Sequence, residues 1–171
     1  MLLARDYIAR CAACYPEKVA YIDGERRRTW RQMHQRSDQL AAALQQLGVG
    51  VGDPVALLAH DHLELIEHWF ACMKIGAPRV GINWRYAPRE MLHLIRDSGA
   101  RVLIVQAELV DLLGTELDAL RNEGLTLVGV GKGHDLPVDY EALIEHQMQA
   151  PRLPPLTPDH RIAISYTTGT T

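Results

Sequence analysis

Two rhythms alternate along the chain: short continuous apolar runs, and apolar stripes at helical spacing. Leu3, Tyr7, Cys11 and Cys14 recur at helical intervals and predict an opening helix. Val19-Ala20-Tyr21-Ile22 reads as a strand, Asp23-Gly24 as a tight turn and Arg28-Thr29-Trp30 as the return of a hairpin. Met33, Leu40, Leu44 and Leu47 then mark a helix that stops at Gly48, a residue suited to a C-terminal cap. Gly52-Asp53-Pro54 turns the chain into Val55-Ala56-Leu57-Leu58, an apolar run fit for a buried strand.

The same alternation continues. A helix with Ile66, Trp69, Phe70 and Met73 on its inward face ends at Gly76, and Val80-Gly81-Ile82 follows as a short strand. Pro88 opens a third helix with Met91 and Ile95 inward, closed by Asp97-Ser98-Gly99. Arg101 to Val105 and Leu125 to Val130 read as strands, with a helix from about Leu109 to Leu120 between them and a short one from Tyr140 to His146 after. Strands separated by helices imply parallel βαβ units with right-handed crossovers. The expected fold is α/β, a doubly wound, mainly parallel sheet flanked by helices. Pro151, Pro154, Pro155 and Pro158 make residues 150–160 an extended connection, and Ile162-Ala163-Ile164 a last apolar strand. No segment repeats another.

Composition narrows the class. Hydrophobic residues make up 47% and charged residues 23% of 171, a globular balance. A net charge of -3 argues against a nucleic-acid partner. The basic run Arg26, Arg27, Arg28 and Arg31 is flanked by Asp23 and Glu25 and reads as a solvated turn rather than a polyanion contact. No stretch approaches the roughly 20 apolar residues that cross a bilayer, and Arg5 and Asp6 come too early for a signal peptide, so a cytoplasmic setting is expected. Cys11 and Cys14 have redox-motif spacing without a preceding strand, and they read, like Cys72, as reduced, partly buried core thiols. Of the eight histidines, His60, His62 and His68 lie near one another in sequence, but no metal-ligand spacing appears; loop and surface positions are expected.

Candidate chemistry is sparse before the end. Gly48-Val49-Gly50-Val51-Gly52 follows a helix and reads as cap and turn. Gly129-Val130-Gly131 follows a strand, but His134 stands in place of the third glycine and Pro137 breaks the helix a pyrophosphate would need. Neither a Walker A pattern nor a Gly-x-Ser-x-Gly elbow is present. Thr167-Thr168-Gly169-Thr170-Thr171 is different: four hydroxyls surround one glycine directly after an apolar strand. Hydroxyls and free backbone N–H groups are what a loop needs to wrap phosphate oxygens.

With Ile164-Ser165-Tyr166 before it, this segment resembles the phosphate-binding signature of the adenylate-forming superfamily, which includes acyl- and aryl-CoA synthetases, luciferases and adenylation domains of peptide synthetases. Further signposts follow that family's order: Thr29-Trp30-Arg31-Gln32-Met33, Leu47-Gly48-Val49, Gly52-Asp53-Pro54-Val55-Ala56, Lys74-Ile75-Gly76-Ala77, Ile82-Asn83-Trp84-Arg85 and Asp97-Ser98-Gly99-Ala100. Asp61 stands where the family usually has asparagine, and Gly81 and Trp84 replace common prolines.

The resemblance implies the front part of an AMP-forming acid–thiol ligase. In such enzymes a carboxylate attacks the α-phosphorus of Mg-ATP, and a thiol then displaces AMP. ATP, Mg2+ and CoA are the implied cofactors, with a fatty or aromatic acid as substrate and a carrier protein as the alternative acceptor. Thr167, Thr168, Gly169, Thr170 and Thr171 would bind the β- and γ-phosphates. Arg85 would be a CoA contact, its plain alternative being a surface arginine before Pro88. The implied organisation is an α/β subdomain over 1–149, a connection over 150–160 and the start of the phosphate loop over 161–171. No catalytic residue and no metal ligand is expected in this stretch, because the family's lie beyond the loop. The piece alone is expected to be inactive and prone to self-association through uncovered apolar surface. A non-catalytic binding module is the reading from a different class.

Overall fold

The computed structural model describes residues 3–147 and 149–167. Its centre is a six-stranded parallel sheet in the order β7-β6-β5-β3-β4-β8. The strands are β3 (Val55–Leu58), β4 (Arg79–Ile82), β5 (Val102–Gln106), β6 (Thr126–Val130), β7 (Val138–Asp139) and β8 (Ala163–Ile164). β3 and β5 occupy the middle, and every residue of both is buried, as expected of strands covered on two faces. A separate hairpin, β1 (Val19–Asp23) with β2 (Arg26–Thr29), precedes the sheet.

Helices cover both faces, as doubly wound topology requires. On one face α2 (Trp30–Gln46), α3 (Leu63–Ile75) and α6 (Tyr140–Glu145) pack Leu40, Leu44, Cys72, Ile75 and Ile144 against Val55, Leu57, Val102, Ile104 and Val128. On the other, α4 (Pro88–Asp97) and α5 (Glu116–Asn122) pack Met91, Ile95 and Leu120 against Ala56, Leu58, Val80, Leu103 and Leu127. The first helix, α1 (Ala4–Cys14), sits outside against α2 and α3.

Local chemistry explains the start of α2. The Thr29 hydroxyl accepts from Gln32 N–H at 3.3 Å, and the Gln32 side chain accepts from Thr29 N–H at 2.9 Å, a reciprocal capping box. Thr29→Ala is expected to lower stability by about 1 kcal/mol, read as a reduced urea midpoint at unchanged slope.

Five expectations are corrected. The inward face of α3 carries Leu63, Glu64, Glu67, His68, Ala71, Cys72 and Ile75, not Ile66, Trp69, Phe70 and Met73. Charged residues can occupy it because arginines from neighbouring elements reach them: Arg26 donates to Glu64 at 2.6 Å, and Arg36 donates to Glu67 at 2.5 and 3.0 Å. The basic run is therefore only partly solvated. Trp69 is exposed, Phe70 meets Tyr21, and Met73 lines a groove beside α1. The helix expected over 109–120 divides into a 3₁₀ turn, Ala107–Leu112, and α5. Cys14 is exposed rather than part of the core, although Cys11 is half-buried and Cys72 buried, and all three are free. Finally, His68 is fully buried, not a surface residue. Its Nε2–H donates to Val55 O at 3.2 Å, and burial pulls its pKa down to about 3.

Candidate functional site

All six strands run parallel, so their C-terminal ends share one edge. Chain order reverses at β3, because β4 follows on one side and β5 on the other. In open α/β sheets ligands bind outside the carboxyl ends of the strands near such a switch point. The segments that leave β3, β4 and β5 meet there, and β8 ends at the same edge beside β4.

After β3, His60 N–H donates to the Gln106 side chain at 2.9 Å, tying this loop to the end of β5. After β4, the His60 ring meets the Trp84 ring edge-on at 4.6 Å between centroids. The Arg85 guanidinium lies 4.3 Å above that same Trp84 ring, and Arg85 N–H donates to Asn83 Oδ1 at 3.0 Å. Arg85 is thus exposed and held by stacking. It does not cap α4, whose first turn is closed by Glu90 accepting from Ala87 N–H at 2.8 Å.

β8 is positioned by the proline-rich segment before it. Gln45 on α2 exchanges two bonds with the Arg152 backbone, at 2.7 and 2.9 Å. Arg5 donates to Pro154 O at 2.5 Å, and His160 donates to Gly76 O at 2.7 Å. Arg79 N–H then donates to Ile162 O at 3.0 Å, and Val80 pairs with Ile164. Tyr166 is pinned by its hydroxyl, which donates to Asp97 Oδ2 at 2.8 Å. Burial and the Asp97 carboxylate push this phenol up to about 12. Tyr166 and Thr167 border an open cavity of about 1010 Å³ on the outer side of α4, beside Arg89, His93 and Arg96. Thr168, Gly169, Thr170 and Thr171 lie outside the described residues.

The structure therefore places Thr167 and Arg85 at the same edge of the sheet, on the loops after neighbouring strands β8 and β4. Three partners were not singled out from sequence for this edge: Trp84 as the platform under Arg85, Gln106 as the tie between loops, and Asp97 as the anchor of Tyr166. Only Trp84 and Asp97 carried a signal, since both fall within signposts. Among the described residues no group of three or more His, Cys, Asp or Glu side chains could hold a metal ion. No helix among them is long and apolar enough to cross a membrane.

The model of the AMP-binding enzyme family matches residues 8–171. The chain belongs to the AMP-binding enzyme family. Its similarity to other members runs along nearly its whole length. It is 34% identical over 167 residues to an indoleacetate–CoA ligase of Aromatoleum aromaticum, covering 97% of this chain and 32% of that one. It is 32% identical over 156 residues to the fatty acid–[acyl-carrier-protein] ligase ScoC of Streptomyces coeruleorubidus, covering 91% and 28%. Among solved structures, the anthranilate CoA ligase AuaEII with anthranoyl-AMP superposes with a TM-score of 0.84 at 30% identity, covering 99% of this chain and 33% of that one. A Mycobacterium tuberculosis fatty acyl CoA synthetase gives 0.81 at 26%, covering 97% and 32%. The chain spans about a third of the length of these AMP-binding relatives.

Proposed function

We propose that this chain forms the first part of an ATP-dependent ligase that activates a fatty or aromatic carboxylic acid as its acyl-adenylate and transfers the acyl group to CoA. The observation that carries this reading is the entry of β8 at the edge of β4, which brings Thr167, the first residue of the threonine-rich sequence, to the carboxyl edge of the sheet, next to the Trp84–Arg85 loop. Within it, residues 1–149 are the first subdomain of the AMP-binding domain, 150–160 the connection and 161–171 the start of the phosphate loop.

The residues supply binding and positioning. Thr167, Thr168, Gly169, Thr170 and Thr171 are proposed to hold the β- and γ-phosphates of ATP, which arrives with Mg2+. Tyr166, fixed by Asp97, and His160, fixed by Gly76, set where that loop begins. Arg85 over Trp84 offers a cation beside an exposed π-face, a fit for the phosphate and base of the CoA nucleotide. The likeness to ScoC supports a second acceptor, a carrier-protein thiol.

The test is ATP–pyrophosphate exchange by the complete protein with a panel of fatty and aromatic acids, followed by AMP release with CoA or with a holo-carrier. Exchange with at least one acid is expected. Thr168→Ala is expected to slow it by about 10²-fold, the effect of removing one donor from a charge-stabilising loop. Full exchange in that variant would remove Thr168 from the phosphate contacts, and exchange with no acid would sink the ligase reading.

A further inference from the structure

The Cys11–Cys14 pair, which the acyl transfer described above does not use, stands on the wall of a groove between α1 and α3. Three residues apart on one helix, the two side chains are neighbours, with Cβ atoms about 5–6 Å apart. Cys14 is exposed and Cys11 half-buried, and both are free thiols. The groove holds about 760 Å³, and half-buried Met73 of α3 brings a third sulfur to it. Packing of α1 against α3 makes that meeting.

The rest of the wall decides what the sulfurs can hold. Among the described residues that line it there is no carboxylate and no imidazole. Mg2+ and Ca2+ call for oxygen donors, carboxylates above all, and structural Zn2+ calls for four ligands where the groove offers two thiols. Thiolate and thioether donors instead select Cu(I), which two thiolates satisfy, with a thioether as a weaker third. Charge fits as well. Binding takes up one Cu+ and releases one proton from each thiol, so the bis-thiolate complex carries a single negative charge and the copper keeps its oxidation state. Arg10, directly before Cys11, opens on the same groove and supplies the opposite charge. Leu3, Tyr7 and Phe70 add apolar wall of the kind that limits solvent access to a soft centre.

We propose that Cys11, Cys14 and Met73 form a binding site for a soft monovalent metal ion, Cu(I), with Arg10 balancing the charge of the complex. The inference does not depend on the ligase reading, since it concerns a different face of the molecule and no catalytic step.

The experiment is anaerobic titration of the complete, reduced protein with Cu(I) in competition with the chromogenic chelator bicinchoninate. One copper per chain is expected, with X-ray absorption showing sulfur as the coordinating atom. Cys11→Ser and Cys14→Ser should each weaken binding by at least about 100-fold, since even the outer partners of a bound metal cost about 10–100-fold when lost. Met73→Leu, close in volume, should weaken it roughly tenfold, as suits a weaker third ligand. Cys14 is exposed, so the urea midpoint of Cys14→Ser is expected to match that of the unaltered protein, leaving a loss of affinity alone. Zn2+ at equal concentration should displace no copper. Unchanged affinity in Cys14→Ser, coordination by nitrogen or oxygen alone, equal competition by Zn2+, or failure of the unaltered protein to take copper from the chelator would each overturn the site. One copper per two chains would overturn it too, because the ion would then lie between molecules. The ligase reading would survive any of these results, because pyrophosphate exchange is measured without copper.

Discussion

Arg36→Leu should cost the fold about 3–5 kcal/mol, the penalty for stripping the partner from a buried ion. Glu67 is fully inaccessible on α3, and it is met by Arg36 Nε and Nη2 at 2.5 and 3.0 Å and by the Tyr140 hydroxyl at 2.9 Å. Arg36 also reaches Glu141 at 2.7 and 3.0 Å, so one guanidinium joins α2, α3 and α6. Burial pushes the Glu67 carboxyl up, while Arg36 and Tyr140 hold it down. Without Arg36 only the Tyr140 hydroxyl and Arg28, 3.8 Å away, face the carboxylate, so it must take up a proton or stay charged with weaker compensation, and both outcomes favour unfolding. Urea denaturation should show a lower midpoint with little change in slope. Removing both partners, Arg36→Leu with Glu67→Leu, should recover part of the loss, since the buried carboxylate goes with its guanidinium even though the Tyr140 hydroxyl then loses its acceptor. A double variant as unstable as the single one would mean that packing, not the ion pair, carries the effect.

Gly76→Ala is expected to lose about 2–3 kcal/mol, in two separable parts. Gly76 closes α3 in the left-handed region, φ +72°, where a Cβ alone costs about 1–2 kcal/mol. That Cβ would also stand 2.7 Å from Leu156 Cδ2 and 3.1 Å from His160 Nε2, on the segment that leads into β8. Gly99→Ala is the internal control: its φ is +66°, but nothing lies within 4 Å of the added Cβ. The difference between the two variants therefore isolates the contact with the proline-rich segment. Limited proteolysis within 151–160 should accelerate in Gly76→Ala and not in Gly99→Ala. Equal loss in both would show that only the backbone matters at Gly76.

These two positions also show what a linear reading can and cannot reach. Strands β3, β5 and β6 were legible because burial on both faces leaves an unbroken apolar run, and Gly76 was legible as a helix end. The orientation of α3 was not. Its apolar stripe of Ile66, Trp69, Phe70 and Met73 is as good a helical pattern as the buried one, and only arginines distant in sequence make Glu64 and Glu67 tolerable inside. β7 escaped notice because two residues carry no periodicity; it exists through pairing with Val128 and Gly129. At the carboxyl edge, the resemblance singled out Thr167, in the phosphate-loop signature, and Arg85, in the separate signpost after Ile82. The contacts that fix them, Gln106 with His60 and Tyr166 with Asp97, join residues 46 and 69 positions apart. Pairings of that range leave no local trace in composition or spacing.

The seam between β4 and β8 has a bearing on the order in which the molecule assembles. β3, β4, β5 and β6 are joined through successive βα units and can collapse as each is completed. β8 must instead return to β4 across the whole intervening chain, and the His160–Gly76 bond that docks its lead-in closes a separation of 84 residues. Chain closure of that length gives up entropy before any contact rewards it, so this seam belongs to the last stage of folding. The sheet beneath can then be native while the proposed nucleotide end is still unformed, and the proline-rich strap becomes the final piece to lock.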